Sequence, residues 1–159
     1  MRVVLDTTVL SNFAHVQESE LLRGLFAGVA LMPPGVQAEL QVGETGGYIP
    51  RCDWDWLEVA ILTRPENELA VANSRVLDMG EAECLALAAI RHAILASDDF
   101  AARRLAQQRG IPVSGTIGVL LRLVKEEQLA QAEADVLLSR MIAKGYRSPV
   151  SSLTDLHTT

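Results

Sequence analysis

The sequence predicts a single α/β domain in which helices cover both faces of a parallel β-sheet. Short apolar runs typical of buried strands alternate along the 159 residues with segments whose apolar residues have helical spacing. Strands separated by helices of this length pair in parallel, and a parallel sheet is covered on both faces. A chain of this length is also large enough to bury a core of its own.

Five strand-like runs of apolar residues predict the sheet. They are residues 1–5, 29–33, 56–62, 93–97 and 111–115. The helical segments between and after them are residues 17–28, 33–42, 65–77, 80–92, 99–110, 116–128 and 131–145. The segment 80–92 is apolar or small on nearly all sides, which indicates a helix buried in the core. We therefore expect a domain of residues 1–147, followed by a polar tail of residues 148–159.

Composition is that of an ordinary soluble globular protein, with 49% apolar and 21% charged residues. No apolar run is long enough to span a bilayer, and the N-terminus lacks the pattern of a secretory signal. Cys52 and Cys84 do not indicate a disulfide framework, so a cytoplasmic protein is expected. The net charge of −6 argues against nucleic-acid binding through global positive charge, but it leaves local binding open.

Carboxylates stand where predicted strands end or predicted helices begin. Asp6 follows the first strand, and Ser97, Asp98 and Asp99 follow the fourth. Ligands of parallel sheets bind beyond the carboxyl ends of the strands, so these acids meet at one edge if the two strands are neighbours. Each acid also has a purely structural interpretation. Aspartates favour helix N-caps and first turns.

Two glutamates complete the set and have structural interpretations as well. Glu39 lies on a short helix whose outer face needs charge. Glu81 follows Asp78 by three residues, the spacing of a capping box. Together the acids at element ends suit Mg²⁺ or Mn²⁺, hard cations that prefer oxygen ligands.

Several motifs in order resemble the PIN-domain proteins. They are LDTTVLSNF, PPGVQAEL, GEAECLALA, LASDDFAARRLA and VSGTIGVLL, which cover residues 1 to about 125. The similarity is greatest to the VapC-like branch of predicted nucleases. The resemblance implies a three-layer α/β/α fold with about four or five parallel strands and a metal-dependent ribonuclease activity. It also implies the toxin half of a toxin–antitoxin pair, with RNA as substrate, a small antitoxin as partner and a homodimeric state.

By position, the resemblance assigns the four acids of the PIN motif and several supporting residues. The acids, which would be both catalytic and metal-binding, are Asp6, Glu39, Glu81 and Asp99. The doubled acids Asp98 and Glu83 leave the exact ligands open, and Thr8 and Ser97 are the supporting polar residues.

Two arginines are candidate RNA contacts, and three other functions are alternatives to the nuclease. Arg103 and Arg104, one turn beyond Asp99, are candidates to contact RNA phosphates, although a solvated helix face is the favoured explanation for them. A PIN fold that binds RNA or a partner without cutting is the main alternative. A phosphatase needs a second acid where Thr8 stands, and a receiver domain needs a lysine after the last strand, so both are weaker.

Overall fold

The computed structural model of the chain describes residues 1–156, and residues 157–159, the end of the predicted polar tail, lie outside the described part. Within the described residues, five strands form one sheet. They are β1 (Val3–Leu5), β2 (Ala30–Met32), β3 (Glu58–Val59), β4 (Ile94–Ala96) and β5 (Val113–Ser114). All neighbouring strands pair in parallel. The predicted α/β class and the five-stranded parallel sheet are confirmed.

Eight α-helices of the described chain flank this sheet. They are α1 (Thr7–His15), α2 (Ser19–Phe26), α3 (Pro34–Thr45), α4 (Arg64–Asn73), α5 (Met79–Ile90), α6 (Phe100–Gln108), α7 (Thr116–Lys125) and α8 (Gln131–Ala143). A 3₁₀ turn, Leu153–Leu156, follows α8. Prolines open α3 and α4 at positions where the missing N–H costs no helical hydrogen bond.

The strand order, β3-β2-β1-β4-β5, determines where a site can form. The chain moves outward from β1 to β2 and β3 on one side, and returns through β4 to the other side of β1. Ligands of such sheets bind in the crevice where this direction reverses, beyond the carboxyl ends of the central strands. Leu5 of β1 stands opposite Ala96 of β4, so Asp6 and Ser97 follow two adjacent strands in register.

The central strands and α5 form the middle of the core. Every residue of β1 and β2 is buried, and so are most residues of α5, as its apolar sequence predicts. Helix α5 packs between α4, α3 and the strands β1 and β4. Its first residues reach the carboxyl edge of the sheet, where the Glu81 side chain lies within electrostatic reach of Asp6, the residue that follows β1.

The segment after α8 is anchored to the domain. Leu153 is fully buried, and its backbone N–H donates to the Asp135 carboxylate of α8 at 2.7 Å. The Ser152 hydroxyl donates to the same carboxylate at 3.1 Å. Residues 148–156 are therefore polar in composition but docked through one apolar side chain.

The described residues also bear on membrane spanning, on disulfide bonds and on the position of Trp54. No helix of residues 1–156 is long and apolar enough to cross a membrane. Cys52 and Cys84 are both free thiols. Trp54 is buried in the core, and its indole N–H donates to Glu44 at 3.2 Å.

Candidate active site

Asp6 lies at the centre of the carboxyl edge of the sheet and is 1% exposed. Its backbone N–H continues the ladder by donating to Ala96 at 3.0 Å. Its Oδ1 accepts the N–H of Thr7 at 2.8 Å, which makes Asp6 the N-cap of α1. Its Oδ2 accepts the hydroxyls of Ser97 at 2.8 Å and Thr8 at 3.1 Å. The cap predicted from the sequence is therefore present, but the carboxylate is far more buried than a cap requires.

The burial of Asp6 changes its proton affinity. Burial raises the pKa of Asp6 to about 6, even though the hydrogen bonds from Ser97, Thr7 and Thr8 act in the opposite direction, and the nearby charge of Glu39 adds to the rise. A charged carboxylate loses its hydration in such a place and needs a compensating positive charge. Asp6 is therefore positioned to gain strongly from a bound cation.

Glu39 reaches the same edge from α3. Its Oε2 accepts the Thr7 hydroxyl at 2.6 Å, and the backbone N–H of Gly80 at the start of α5 is also hydrogen-bonded to it. A Cβ at Gly80 would stand within 3 Å of the Glu39 carboxylate, so the glycine allows this approach. Burial, together with the charges of Asp78 and Glu83, raises the pKa of Glu39. Glu39 is thus held at the edge rather than on a solvated helix face.

Glu81 forms the capping box that the sequence predicts. Its backbone N–H donates to the Asp78 side chain at 3.0 Å, and its Oε2 accepts the Asp78 N–H at 3.3 Å. Burial and the charges of Asp78, Asp99 and Asp6 raise the pKa of Glu81 to about 8. The cap therefore holds this carboxylate within electrostatic reach of Asp6 and Asp99, so the structural and functional interpretations coexist in one residue.

Asp99 approaches the group from the start of α6. Its Oδ2 accepts the N–H of Ala102 at 2.8 Å, which makes it the N-cap of that helix. Its own N–H donates to the Ser97 hydroxyl at 3.1 Å, and that hydroxyl donates to Asp6. One serine side chain therefore joins the cap of α6 to the buried aspartate that follows β1.

Asp98 faces a different set of partners. Its Oδ1 accepts the N–H of Thr116, the first residue of α7, at 2.9 Å, and its Oδ2 accepts the amide of Asn12 at 3.0 Å and the Thr116 hydroxyl. Tyr146 of the segment after α8 also lies near it. This carboxylate joins α1, α7 and the segment after α8, so of the doubled acids at 98 and 99 it is Asp99 that lies near Glu81.

Glu83 lies two residues beyond Glu81 on α5 and contacts the start of α3. Its Oε2 accepts the N–H of Gly35 at 2.7 Å, in the first turn of α3. An acid at a helix N-terminus is stabilised by the unpaired N–H groups there. Glu83 lies close enough to Glu39 to raise its pKa, but its hydrogen bond is that of a cap for α3.

The two predicted RNA-contacting arginines differ in their surroundings. The Arg103 guanidinium donates to the carbonyl oxygens of Ser97 and Ser114, both at 2.9 Å, and so joins the ends of β4 and β5. Arg104 is exposed on α6. The placement of Arg103 favours a structural role, while Arg104 stays a predicted RNA contact.

Three polar residues at this edge were not identified from the sequence as site residues. Thr7 positions Glu39, and Asn12 and Thr116 hold Asp98; the Asn12 amide also donates to the Thr116 hydroxyl at 3.0 Å. A polar Asn12 within the apolar pattern of α1 was the available signal. Thr116 is fully buried, and it lies within the quoted motif VSGTIGVLL.

The four acids fit a divalent cation in chemistry. They supply only hard oxygen donors, and none of them forms an ion pair with a lysine, arginine or histidine in residues 1–156. In the same part of the chain, no three acidic, histidine or cysteine side chains form a group that could hold a metal ion as they stand. Glu81 and Asp99 each accept a backbone N–H at a helix N-terminus. The buried thiol of Cys84 has its pKa raised by burial and by Asp6, so it stays protonated beside the acids.

These features define a class of protein, an α/β domain whose parallel sheet carries several carboxylates at its topological switch point. The model of the family DUF3368, described as a PIN domain, matches residues 2–157, and the chain therefore belongs to the PIN-domain family. PIN domains are generally nucleases, so the fold is of nuclease type. No curated protein and no solved structure matches the chain.

Because the pKa values of Asp6 and Glu81 are raised, we expect the protein to become less stable as pH rises when metal is chelated. Moving the pKa of the buried Asp6 from 3.8 in the unfolded chain to about 6 corresponds to about 3 kcal/mol. The contribution of Asp6 to the free energy of unfolding is fully present below pH 3.8 and is lost as pH rises through 6. The contribution of Glu81 is lost as pH rises through 8. We expect the free energy of unfolding in EDTA, measured by urea denaturation, to fall between about pH 5 and pH 8.5. Stability that rises over this range would contradict the electrostatics of the site.

Proposed function

We propose that the protein is an endoribonuclease that uses Mg²⁺ or Mn²⁺ to hydrolyse RNA phosphodiester bonds. The proposed catalytic and metal-binding residues are Asp6, Glu39, Glu81 and Asp99. The observation that carries the proposal is the buried carboxylate of Asp6 at the switch point, with the charges of Glu39 and Glu81 within electrostatic reach. Such mutual repulsion has no structural benefit and is relieved by a cation.

The hydrogen bonds around the acids organise the site before any ligand arrives. Ser97 and Thr8 fix Oδ2 of Asp6, the N–H of Thr7 fixes Oδ1, and the Thr7 hydroxyl fixes Glu39. Partners of this kind orient metal ligands and limit their motion. A bound divalent ion would supply Lewis acidity and an activated water at the phosphodiester. The protein contributes fixed carboxylates that need little rearrangement.

Glu81 is the acid that has to move. Its bond to the N–H of Asp78 is long, at 3.3 Å, whereas the reciprocal bond of the cap, from the Glu81 N–H to Asp78, is 3.0 Å. Turning the Glu81 side chain toward Asp6 and Asp99 therefore sacrifices only the weaker half of the capping box. The helix keeps its cap through Asp78 while the carboxylate becomes a ligand.

The test is cleavage of a fluorescently labelled, mostly single-stranded RNA by purified protein. We expect cleavage with Mg²⁺ or Mn²⁺, none after dialysis against EDTA, and recovery when the metal is added in excess of the chelator. Undiminished cleavage in exhaustive EDTA would contradict metal dependence. RNA that is bound but not cut, with or without metal, would favour the alternative of a non-cleaving RNA-binding module, which the incomplete ligand set in the described residues also supports.

The resemblance to the VapC-like branch extends the proposal to biological context. We infer that the protein acts in the cytoplasm as the toxin of a type II toxin–antitoxin pair, forms a homodimer and is held inactive by a small antitoxin protein. Growth arrest on expression of the protein, relieved by a small protein encoded beside it, is the expected result. Unimpaired growth during expression of cleavage-competent protein would leave a nuclease without a toxin role.

A further inference from the structure

An open cavity of about 280 Å³ lies beside the acidic edge, between α1, Asp98 and the segment after α8. Thr8 and Asp98 form the wall that it shares with the site, and the Thr8 hydroxyl is 3.1 Å from Oδ2 of Asp6. Tyr146 and Arg147 line the cavity from the segment after α8. The Thr8 hydroxyl therefore connects the lining of the cavity to the central aspartate.

The chain reaches this place through a specific turn. Helix α8 ends at Ala143, and Gly145 follows with φ of +111°, a conformation that residues with a Cβ rarely adopt. The Tyr146 N–H then donates to the Met141 carbonyl oxygen at 3.0 Å, and its side chain lies near Asp98. Burial and the Asp98 charge raise the pKa of Tyr146, so the hydroxyl stays a donor. This anchoring fixes Arg147 at the mouth of the cavity.

Arg147, like the exposed Arg104, has an available charge near the acids, and of the two it is Arg147 that lines the cavity. Its side chain is exposed, and no carboxylate of residues 1–156 forms an ion pair with it. Arg103 is already hydrogen-bonded to two carbonyl oxygens, and Asp98 on the cavity wall is satisfied by Asn12 and Thr116. A free guanidinium beside an acidic edge favours an anion, and phosphate is one of the two anions, with carboxylate, whose geometry an arginine fork matches.

We propose that this cavity is a substrate subsite in which Arg147 binds a backbone phosphate of single-stranded RNA next to the phosphate that is cut. The inference rests on the proposed nuclease function, because it takes RNA as the ligand. It also gives a reason for docking the segment after α8 through Leu153: the anchored segment carries the cation that an otherwise acidic site needs in order to hold a polyanion.

The test measures RNA affinity against salt concentration, which does not require cleavage. The protein is the full chain with Asp6→Asn, in Mg²⁺, and the probe is a labelled single-stranded RNA oligonucleotide followed by fluorescence anisotropy. Removing one phosphate contact lowers the slope of log affinity against log salt by about 0.7. We expect this loss in Arg147→Ala, with Kd raised several-fold at low salt, and recovery of most of the slope in Arg147→Lys.

Arg64→Ala is the control. Arg64 is an exposed arginine at the start of α4, where it forms an ion pair with Glu68. The first turn of that helix contacts Arg91, at the end of α5 that is remote from Glu81. We expect its slope to equal that of the parent. Equal slopes for the parent and Arg147→Ala would overturn the subsite even if the wild-type protein cuts RNA. A slope that depends on Arg147 in a protein that never cuts RNA would uphold the subsite and refute the nuclease.

Discussion

Replacing Asp6 by asparagine is expected to lower the rate of RNA cleavage by more than about 100-fold, the upper range for losing a residue that only orients a metal ligand. The amide has nearly the shape of the carboxylate and can still accept the N–H of Thr7 at the start of α1. It cannot supply the negative charge that a divalent ion requires. The measurement is the initial rate of cleavage in saturating Mg²⁺ for the two purified proteins.

The same variant separates a catalytic loss from an unfolded protein. Because an asparagine side chain does not ionise, the burial penalty that raises the pKa of Asp6 disappears in the variant. We expect Asp6→Asn to be at least as stable as the parent in EDTA at about pH 8, by urea denaturation. A variant that folds and cuts RNA at the parent rate would reduce Asp6 to a helix cap and contradict the site.

The second large effect distinguishes the two glutamates of α5. Glutamine can accept the Asp78 N–H as Glu81 does. At about pH 5, where the raised pKa keeps Glu81 protonated, Glu81→Gln should therefore change the free energy of unfolding in EDTA by no more than about 1 kcal/mol, the scale of a cap. The charge of Glu81 lies near Asp6 and Asp99. We therefore expect Glu81→Gln to abolish nearly all cleavage, measured in the same assay.

Glu83→Gln is the matched control, two residues away on the same helix. Its Oε2 accepts the Gly35 N–H at 2.7 Å, and a glutamine oxygen can accept that bond too. We expect the variant to lose a few tenths of a kcal/mol of charge–dipole stabilisation at α3 and to keep most of its activity. An inactive Glu83→Gln beside an active Glu81→Gln would show that Glu83 is the third acid.

The sequence predicts the architecture well because the relevant signals are local. Strand and helix patterns placed all five strands, although the predicted run 56–62 shortens to Glu58–Val59 at the sheet edge. Pairing with Leu31 and Met32 ends where β2 ends. Short sequence patterns likewise predicted the capping box of Asp78 and Glu81 and the burial of α5.

The contacts of the acidic edge were less predictable because they join residues far apart in sequence. The bond from Thr7 to Glu39 spans 32 residues, and that from Ser97 to Asp6 spans 91. No local pattern distinguishes Asp98, which binds Asn12 and α7, from Asp99. The partner of Glu83, an unpaired N–H in the first turn of α3, is likewise 48 residues away and leaves no local signal.

The most direct test of the central claim, that this edge holds a divalent cation, is the melting temperature of the apo protein titrated with Mg²⁺ or Mn²⁺. Sodium chloride at equal ionic strength controls for general screening of the net charge of −6. We predict that the divalent ion raises the melting temperature well beyond the salt control at about pH 8, and that Asp6→Asn removes most of the difference. Identical shifts with the divalent ion and with sodium chloride would contradict the claim.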